Sequence, residues 1–585
     1  MPARLGAYPS AARAPVSQGT PAWLGGLAAN RWLRAAAIVL LGCAAQEGCL
    51  HAVTWYLDDT WQVHDSEYVE GGLWWQDPAV LLTNLSYYVT WRLAGFSTVA
   101  FHLGNLGIHL ALALSVYWLG RHLFALCGGA PPAAWETPSW LAAVLFAVHP
   151  LTTEVTHYIR ARDHGLVALF SFLAAGFAAM AIRRNARWWA AVIGAVVLAA
   201  FSKGPGLPHA LLCVGLVVLA AITSIPAISA IPAGKSWRLL LPGRRYLLLG
   251  LLAVLCATAA VWAQIVLLET FFIREISGRR FFLHALTQAR VLPQYLWRMV
   301  VPIHLCSDHL FAWTKNFSDS VAWLWLAVSA GLLLGIVVLW VRRVQPWALL
   351  LALALTALWL RWLYAVSELM VEYRTYPAMP WVAMLFALAI WRCWDRWPAA
   401  ARIGFAGIVC TFILLCRARS RDWQSSEALH SQILRLYPLQ LRAFNGLSND
   451  DLREGRYQAV VDRNPEFERR LQVVLAMNRR DPHRYLENWP LWAVCEECMY
   501  GEAIAHVGNT YSAMDQLDMT AWRMNENHIF DAVLWAQWHL SVANVLLLRG
   551  DKQDALREYR LLEPSIALRV RVDREIQKIL APQPR

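Results

Sequence analysis

The chain has 585 residues, 58% hydrophobic and 16% charged, against about 45–50% and about 25% in soluble globular proteins. That balance excludes a wholly soluble or disordered protein. The formal net charge is +12, but 29 basic and 17 acidic groups precede Arg417 and 23 of each lie from Arg417 onward. The excess therefore belongs to the apolar part, as in the loops of a membrane protein, and not to a nucleic-acid-binding stripe.

Residues 1–31 are rich in Ala, Pro and Gly, carry Arg4 and Arg13, and are followed by no small-residue cleavage site. They read as a cytoplasmic tail ahead of an uncleaved first helix. A span needs about 20 mainly apolar residues, and about eleven such segments follow within a membrane domain over 32–416. They lie near 33–55, 98–119, 138–150, 164–182, 187–202, 207–223, 246–267, 320–341, 346–364, 376–391 and 399–416. Threading them alternately from a cytoplasmic amino terminus puts Arg121, Arg183, Arg184, Arg187, Lys235, Arg238, Arg244, Arg245, Arg342, Arg343, Arg392 and Arg396 inside, as the positive-inside rule requires. The same threading leaves only Glu136 and Asp395 of the acids on the inner side, and an odd span count sends everything after Arg417 outside.

From 417 to 585 charges are dense and balanced, and apolar residues recur at helical spacing. This predicts a soluble all-helical domain. Gly455-Arg456-Tyr457, and Gly550 to Ala555 with Tyr559, look like degenerate tetratricopeptide turns. The fold class is thus all-α, a polytopic helical bundle followed by a tetratricopeptide-like domain. Eleven cysteines are too scattered for a disulfide framework, and most fall in apolar runs where packing is the plain reading; Cys495 and Cys498 are the exception, a candidate local disulfide. No second Cys or His pair stands at ligand spacing, so no metal site is assigned.

Three clusters could carry chemistry, all expected on the outer side. Asp58 and Asp59 follow the first span among aromatic residues, where partial desolvation makes a carboxylate a better proton acceptor; a helix cap or solvated acid is the plain alternative. The turn from His149 to His164 holds Glu154, Asp163, Arg160 and Arg162 with three histidines, and Arg forks suit phosphate oxygens. Glu368, Glu372, Arg374 and Tyr376 stand at the outer end of the ninth segment, with Ser202-Lys203 at that of the fifth. Lys203 or Arg374 alone would be a headgroup anchor, but with Arg162 they would line one anion site. Glu47 and His51, four apart on one helical face, are set aside as interhelical polar contacts. Walker, Rossmann, HExxH and GxSxG patterns are absent from the sequence.

Taken in order, Trp55-Tyr56-Leu57-Asp58-Asp59, Phe101 to His109, Val148 to Val155 with Arg162, Ser202-Lys203, Gln288 to Asp308 with Pro302 and Cys306, and Glu372 to Tyr376 resemble one family. It is the GT-C class of membrane glycosyltransferases, closest to the tetratricopeptide-containing transmembrane O-mannosyltransferases and their bacterial relatives. The resemblance covers roughly residues 33 to 470. It implies inverting transfer of a sugar from a polyprenyl-phosphate carrier, undecaprenyl or dolichyl, to an acceptor hydroxyl. Asp58 or Asp59 would be the base, Glu154 would assist or orient the acceptor, and Arg162 with Arg374 would hold the carrier phosphate. His149, Arg160, Asp163, Lys203, Glu372 and Tyr376 complete the expected substrate-binding set.

The chain departs from the pattern where His164 follows Asp163, where Tyr373 separates Glu372 from Arg374, and in lacking Arg-Pro around Leu82 to Tyr88. The donor and acceptor therefore need not be mannose and Ser/Thr. A secreted or pilus-type protein is the leading acceptor, bound by the soluble domain, ahead of an envelope glycan or lipid. The Ala, Arg and Trp richness favours a bacterial cytoplasmic membrane with a periplasmic soluble domain. A transporter would place polar groups at mid-membrane on broken helices, and a scaffold would not need about eleven spans.

Overall fold

In the computed structural model, residues 30–52, 59, 63–64, 66, 68–128, 130–224, 278–342, 344–363, 368–481, 483–486, 489–526, 532–562, 576–577 and 579 are described. The amino-terminal tail up to residue 29, Asp58 and the predicted span 246–267 lie outside them. The membrane part contains α1 (Arg31–Gln46), α2 (Leu81–Ala94), α3 (Thr98–Gly128), α4 (Glu136–Val148), α5 (Thr153–His157), α6 (Arg162–Arg183), α7 (Trp188–Ala200) and α8 (Gly206–Ser224). It continues with α9 (Gly278–Val300), α10 (Ser320–Val341), α11 (Gln345–Trp359), α12 (Met379–Arg396) and α13 (Pro398–Asp422). The carboxy-terminal helices are α14 (Ser426–Leu436), α15 (Leu441–Arg453), α16 (Tyr457–Arg480), α17 (Trp489–His506), α18 (Thr510–Glu526), α19 (Ala532–Arg549) and α20 (Lys552–Leu562). Strand among the described residues is one antiparallel ladder of β1 (Trp313–Thr314) on β2 (Arg484–Tyr485).

Among the described residues, seven stretches are long and apolar enough to cross a membrane: Arg31–His51, Thr98–Gly128, Ile159–Arg183, Gly206–Thr223, Ser320–Val341, Glu372–Trp394 and Pro398–Asp422. The predicted spans that fall on described residues all coincide with helices, but α4, α7 and α11 are shorter than a span needs. The second span runs to Gly128, past its expected end at 119, because nothing breaks the helix before the glycine; the Arg121 guanidinium lies over the Trp118 ring at 5.6 Å. Glu47 and His51 stand on a 3-10 turn and not on the expected α-helical face, but Glu47 makes an interhelical polar contact, meeting Arg417 at 2.6 Å.

α6 is the hub, packed against α3, α7 and α8. The α3 contact is close because Gly176 leaves room: a Cβ there would lie 2.6 Å from that of Leu119. At one end of the bundle Glu136 meets Arg31 (3.2 Å), Arg34 (3.8 Å) and the Tyr117 hydroxyl (2.9 Å). The reactive-looking side chains gather at the other end.

α14 to α20 pack as successive antiparallel neighbours. α15, α17 and α19 each end on a glycine with positive φ, Gly455, Gly508 and Gly550. In each case the next N–H bonds back five residues, Arg456 to Asp451, Asn509 to Ile504 and Asp551 to Leu546, satisfying the last-turn carbonyls. Cys495 and Cys498 on α17 form no disulfide, and Cys498 is buried in a core shared with Leu517 and Val545. The carboxy-terminal helices are fastened to the apolar bundle by the β1–β2 ladder and by Arg484 on Asp319 at 3.1 and 3.2 Å.

Candidate functional site

The turn from His149 to Arg162 breaks into short 3-10 and α pieces, since Pro150 ends α4 and removes a donor. Side chains from the Phe101–His109 stretch hold it. His102 Nδ1 donates to Thr156 O (3.2 Å), and Asn105 Nδ2 donates to the carbonyls of Val155 (2.9 Å), Tyr158 (3.1 Å) and Ile159 (3.3 Å). From α1, Gln46 exchanges bonds with Thr152 and Thr156. These bonds satisfy backbone that would otherwise be buried without partners.

Asp59 and the second cluster come together. Asp59 is buried, and its Oδ1 accepts from the Arg160 N–H at 2.7 Å. Fully buried Asp163 accepts from Arg160 Nη1 and Lys203 Nζ on Oδ2, both at 2.5 Å, and from His164 Nδ1 on Oδ1 at 2.7 Å. Leu82 N and Thr83 Oγ1 donate to the Phe201 and Ser202 carbonyls and so hold the Lys203 turn. A cavity of about 40 Å³ opens beside it, lined by Lys203, Arg374, His164 and His209 with Val167, Pro205, Ala357, Leu360 and Pro377.

Arg162 does not line that cavity. Its guanidinium donates to Asn105 Oδ1 (2.7 Å), Phe101 O (2.7 Å), Ser86 O (3.2 Å) and Thr90 Oγ1 (3.2 Å) and lies 4.7 Å over the Tyr87 ring. A Cβ on Gly104 would come within 2.7 Å of it. His149 and Tyr376 also act in the scaffold: His149 caps the turn at Leu151 N and donates to Met299 O, while Tyr376 donates to His109 Nδ1 at 2.8 Å.

Glu154 is 1% exposed, and neither carboxylate oxygen has a hydrogen-bond partner. Burial, reinforced by the nearby Glu372 charge, pushes its carboxyl well above the ordinary range; the Arg419 guanidinium only partly offsets this. Glu372 is paired with Arg419 (3.6 Å) and Arg298 (4.0 Å) and accepts from Cys306 N (2.7 Å) and His309 Nε2 (2.8 Å). His309 Nδ1 in turn accepts from the Tyr437 hydroxyl at 2.7 Å. Glu368 bonds Arg442 (2.7 Å), Arg374 (3.2 Å) and the Tyr373 hydroxyl (3.0 Å). Burial alone would raise its pKa, but the two guanidiniums hold it down at about 2.

Arg419, His309, Arg298 and Arg442 were not singled out from the sequence. Arg419 carried a usable signal: Arg417, Arg419 and Arg421 crowd the end of a span predicted to face outside, against the positive-inside bias. His309 and Arg442 carried none, because their partners are distant in sequence. No metal-holding group of three or more His, Cys, Asp or Glu occurs among the described residues. Compared with known proteins, the chain matches no family model, no curated protein and no solved structure.

Proposed function

We propose that the protein is a GT-C-like inverting glycosyltransferase of a bacterial cytoplasmic membrane, with about eleven spans, an inner amino terminus and a periplasmic tetratricopeptide-like domain. It moves a sugar from a polyprenyl-phosphate carrier to an acceptor hydroxyl, foremost Ser or Thr of a secreted or pilus-type protein. One observation carries the reading: two basic side chains from separate elements, Lys203 and Arg374, share a cavity at the end of the bundle opposite Glu136. Lys203 is held by Asp163 and Arg374 by Glu368. A cavity of about 40 Å³ holds about one or two waters, so a phosphate enters only as these cations turn from their carboxylates.

In the reaction the acceptor oxygen attacks the anomeric carbon from the face opposite the carrier. The anomeric C–O bond breaks, and its electron pair stays on the carrier phosphate, where Lys203 and Arg374 offset the charge. The hydroxyl proton passes to a carboxylate, Asp58 or Asp59 by the family resemblance, with Glu154 the alternative. The phosphate role expected of Arg162 passes to Lys203, since the Arg162 fork is occupied by protein acceptors. The soluble domain receives the acceptor.

Purified full-length protein given an undecaprenyl-phosphate sugar is expected to release undecaprenyl phosphate and glycosylate an extracted acceptor with inverted anomeric configuration. Mass spectrometry of periplasmic glycoproteins and glycolipids from cells with and without the gene identifies that acceptor. Identical glycan profiles, together with no donor turnover, would sink the proposal.

A further inference from the structure

The Glu368 carboxylate stands between two arginines from different parts of the molecule. On one side Oε1 accepts from Arg442 Nη1 at 2.7 Å; Arg442 belongs to α15, and its guanidinium also lies over the Trp492 ring at 5.4 Å and 3.8 Å from Asp308. On the other side Oε2 accepts from Arg374 Nη2 at 3.2 Å, and Arg374 Nη1 bonds the Glu368 carbonyl. Arg374 is buried, lines the cavity beside Lys203, and its Nε has no partner. The Glu368 strand is held in place by α9, through Gln288 Nε2 to Leu369 O and the Tyr295 hydroxyl to Val371 O.

An anion that takes Arg374 must compete with Glu368 for it. How strongly Glu368 holds Arg374 depends on how much of its charge another cation offsets, because paired charges at low local dielectric interact strongly. Arg442 is that other cation. We infer that Arg442 is a positioning residue for the cavity: through Glu368 it sets how readily Arg374 turns to a phosphate, so the soluble domain tunes carrier binding without touching the carrier. The inference rests on the reading of the cavity as a phosphate site. It gives the soluble domain a second task beside receiving the acceptor. Anything that draws Arg442 away from Glu368 tightens the grip on Arg374 and weakens carrier binding, and by linkage the carrier weakens that partner's hold.

The test uses the full chain in nanodiscs with undecaprenyl phosphate as probe, affinity and melting being measured together. Arg442→Met is expected to weaken binding about fivefold or more, the lower end of typical coupling between sites. Arg442→Lys, which keeps the charge, should restore most of it. Glu368→Gln should bind at least as tightly as wild type, and the double variant should match Glu368→Gln, because Arg442 acts only through that carboxylate. A seam contact with no such role would lower melting and leave affinity unmoved.

If Arg374→Met weakens binding and Arg442→Met does not, the inference fails while the phosphate site stands. If neither Arg374→Met nor Lys203→Met changes affinity, the site reading itself fails and the inference with it. Should Arg442→Met not fold, Glu368→Gln decides alone: weaker binding than wild type overturns the inference.

Discussion

At the scale of single residues, Glu154 is the clearest conflict with stability. A fully buried carboxyl without a donor costs about 1–3 kcal/mol relative to a satisfied group. Its unfolded carboxyl ionises near 4.5, whereas in the native state it ionises only well above that. Unfolding therefore releases a proton, and this residue's contribution to stability declines as pH rises above about 4.5. Glu154→Gln is expected to raise stability at neutral pH by about 1 kcal/mol, to flatten that pH dependence, and to lower turnover at least about tenfold. Thermal melts across pH and a transfer assay check this; a destabilised, fully active variant would contradict it. Asp163 is the opposite case. It anchors Arg160, Lys203 and His164, so Asp163→Asn should cost about 3–5 kcal/mol, as when one partner of a buried ion pair is removed. Chemical denaturation measures that loss. The residue types at both positions were legible in the sequence, but the difference between an anchored and an unpartnered acid was not. It depends on Lys203, forty residues away, and on Arg419, which comes from the last span.

At the scale of elements, glycines show how packing and turns are specified. A side chain at Gly176 would overlap Leu119, whereas one at Gly331 on α10 would meet nothing within 4 Å. Gly176→Val is expected to force α3 from α6 and cost about 1–3 kcal/mol by overpacking, while Gly331→Val leaves melting nearly unchanged. Equal melting temperatures for the two would refute the close-packing account. The helices themselves followed from apolar length and span rules, including the two glycine turns at Gly455 and Gly550. The Phe101–His109 stretch could be recognised but not explained from sequence, since its polar side chains serve backbone carbonyls some 38–54 positions later.

At the scale of the molecule, the two parts meet through charges that titrate. The Glu368 carboxylate, held near 2 against an ordinary 4.5, contributes stability that is present above about 4.5 and lost as pH falls toward 2. Hydrogen exchange around Arg442 should therefore rise over that window in wild type, and Glu368→Gln should remove the dependence. A wild-type profile flat from pH 4.5 to 2 would exclude Glu368 as the seam's acid-sensitive group. Under the proposed eleven-span topology the carboxy-terminal domain lies outside, so a reporter fused after Arg585 is expected to be active only when periplasmic.

The sequence by itself determined the membrane class, the positions of the apolar helices though not of α2 and α9, the change of texture at Arg417 and the three polar clusters, because hydropathy, helix length and charge bias act locally along the chain. Only the tertiary structure decided which polar groups meet. It brought Lys203 to Arg374, kept Arg162 within the scaffold, left Glu154 without a donor, and carried Arg442 from the carboxy-terminal helices to Glu368. Side-chain meetings depend on how helices distant in sequence are rotated and packed. That packing is settled by the sum of many weak contacts such as those of α6 with α3, and no single motif encodes it.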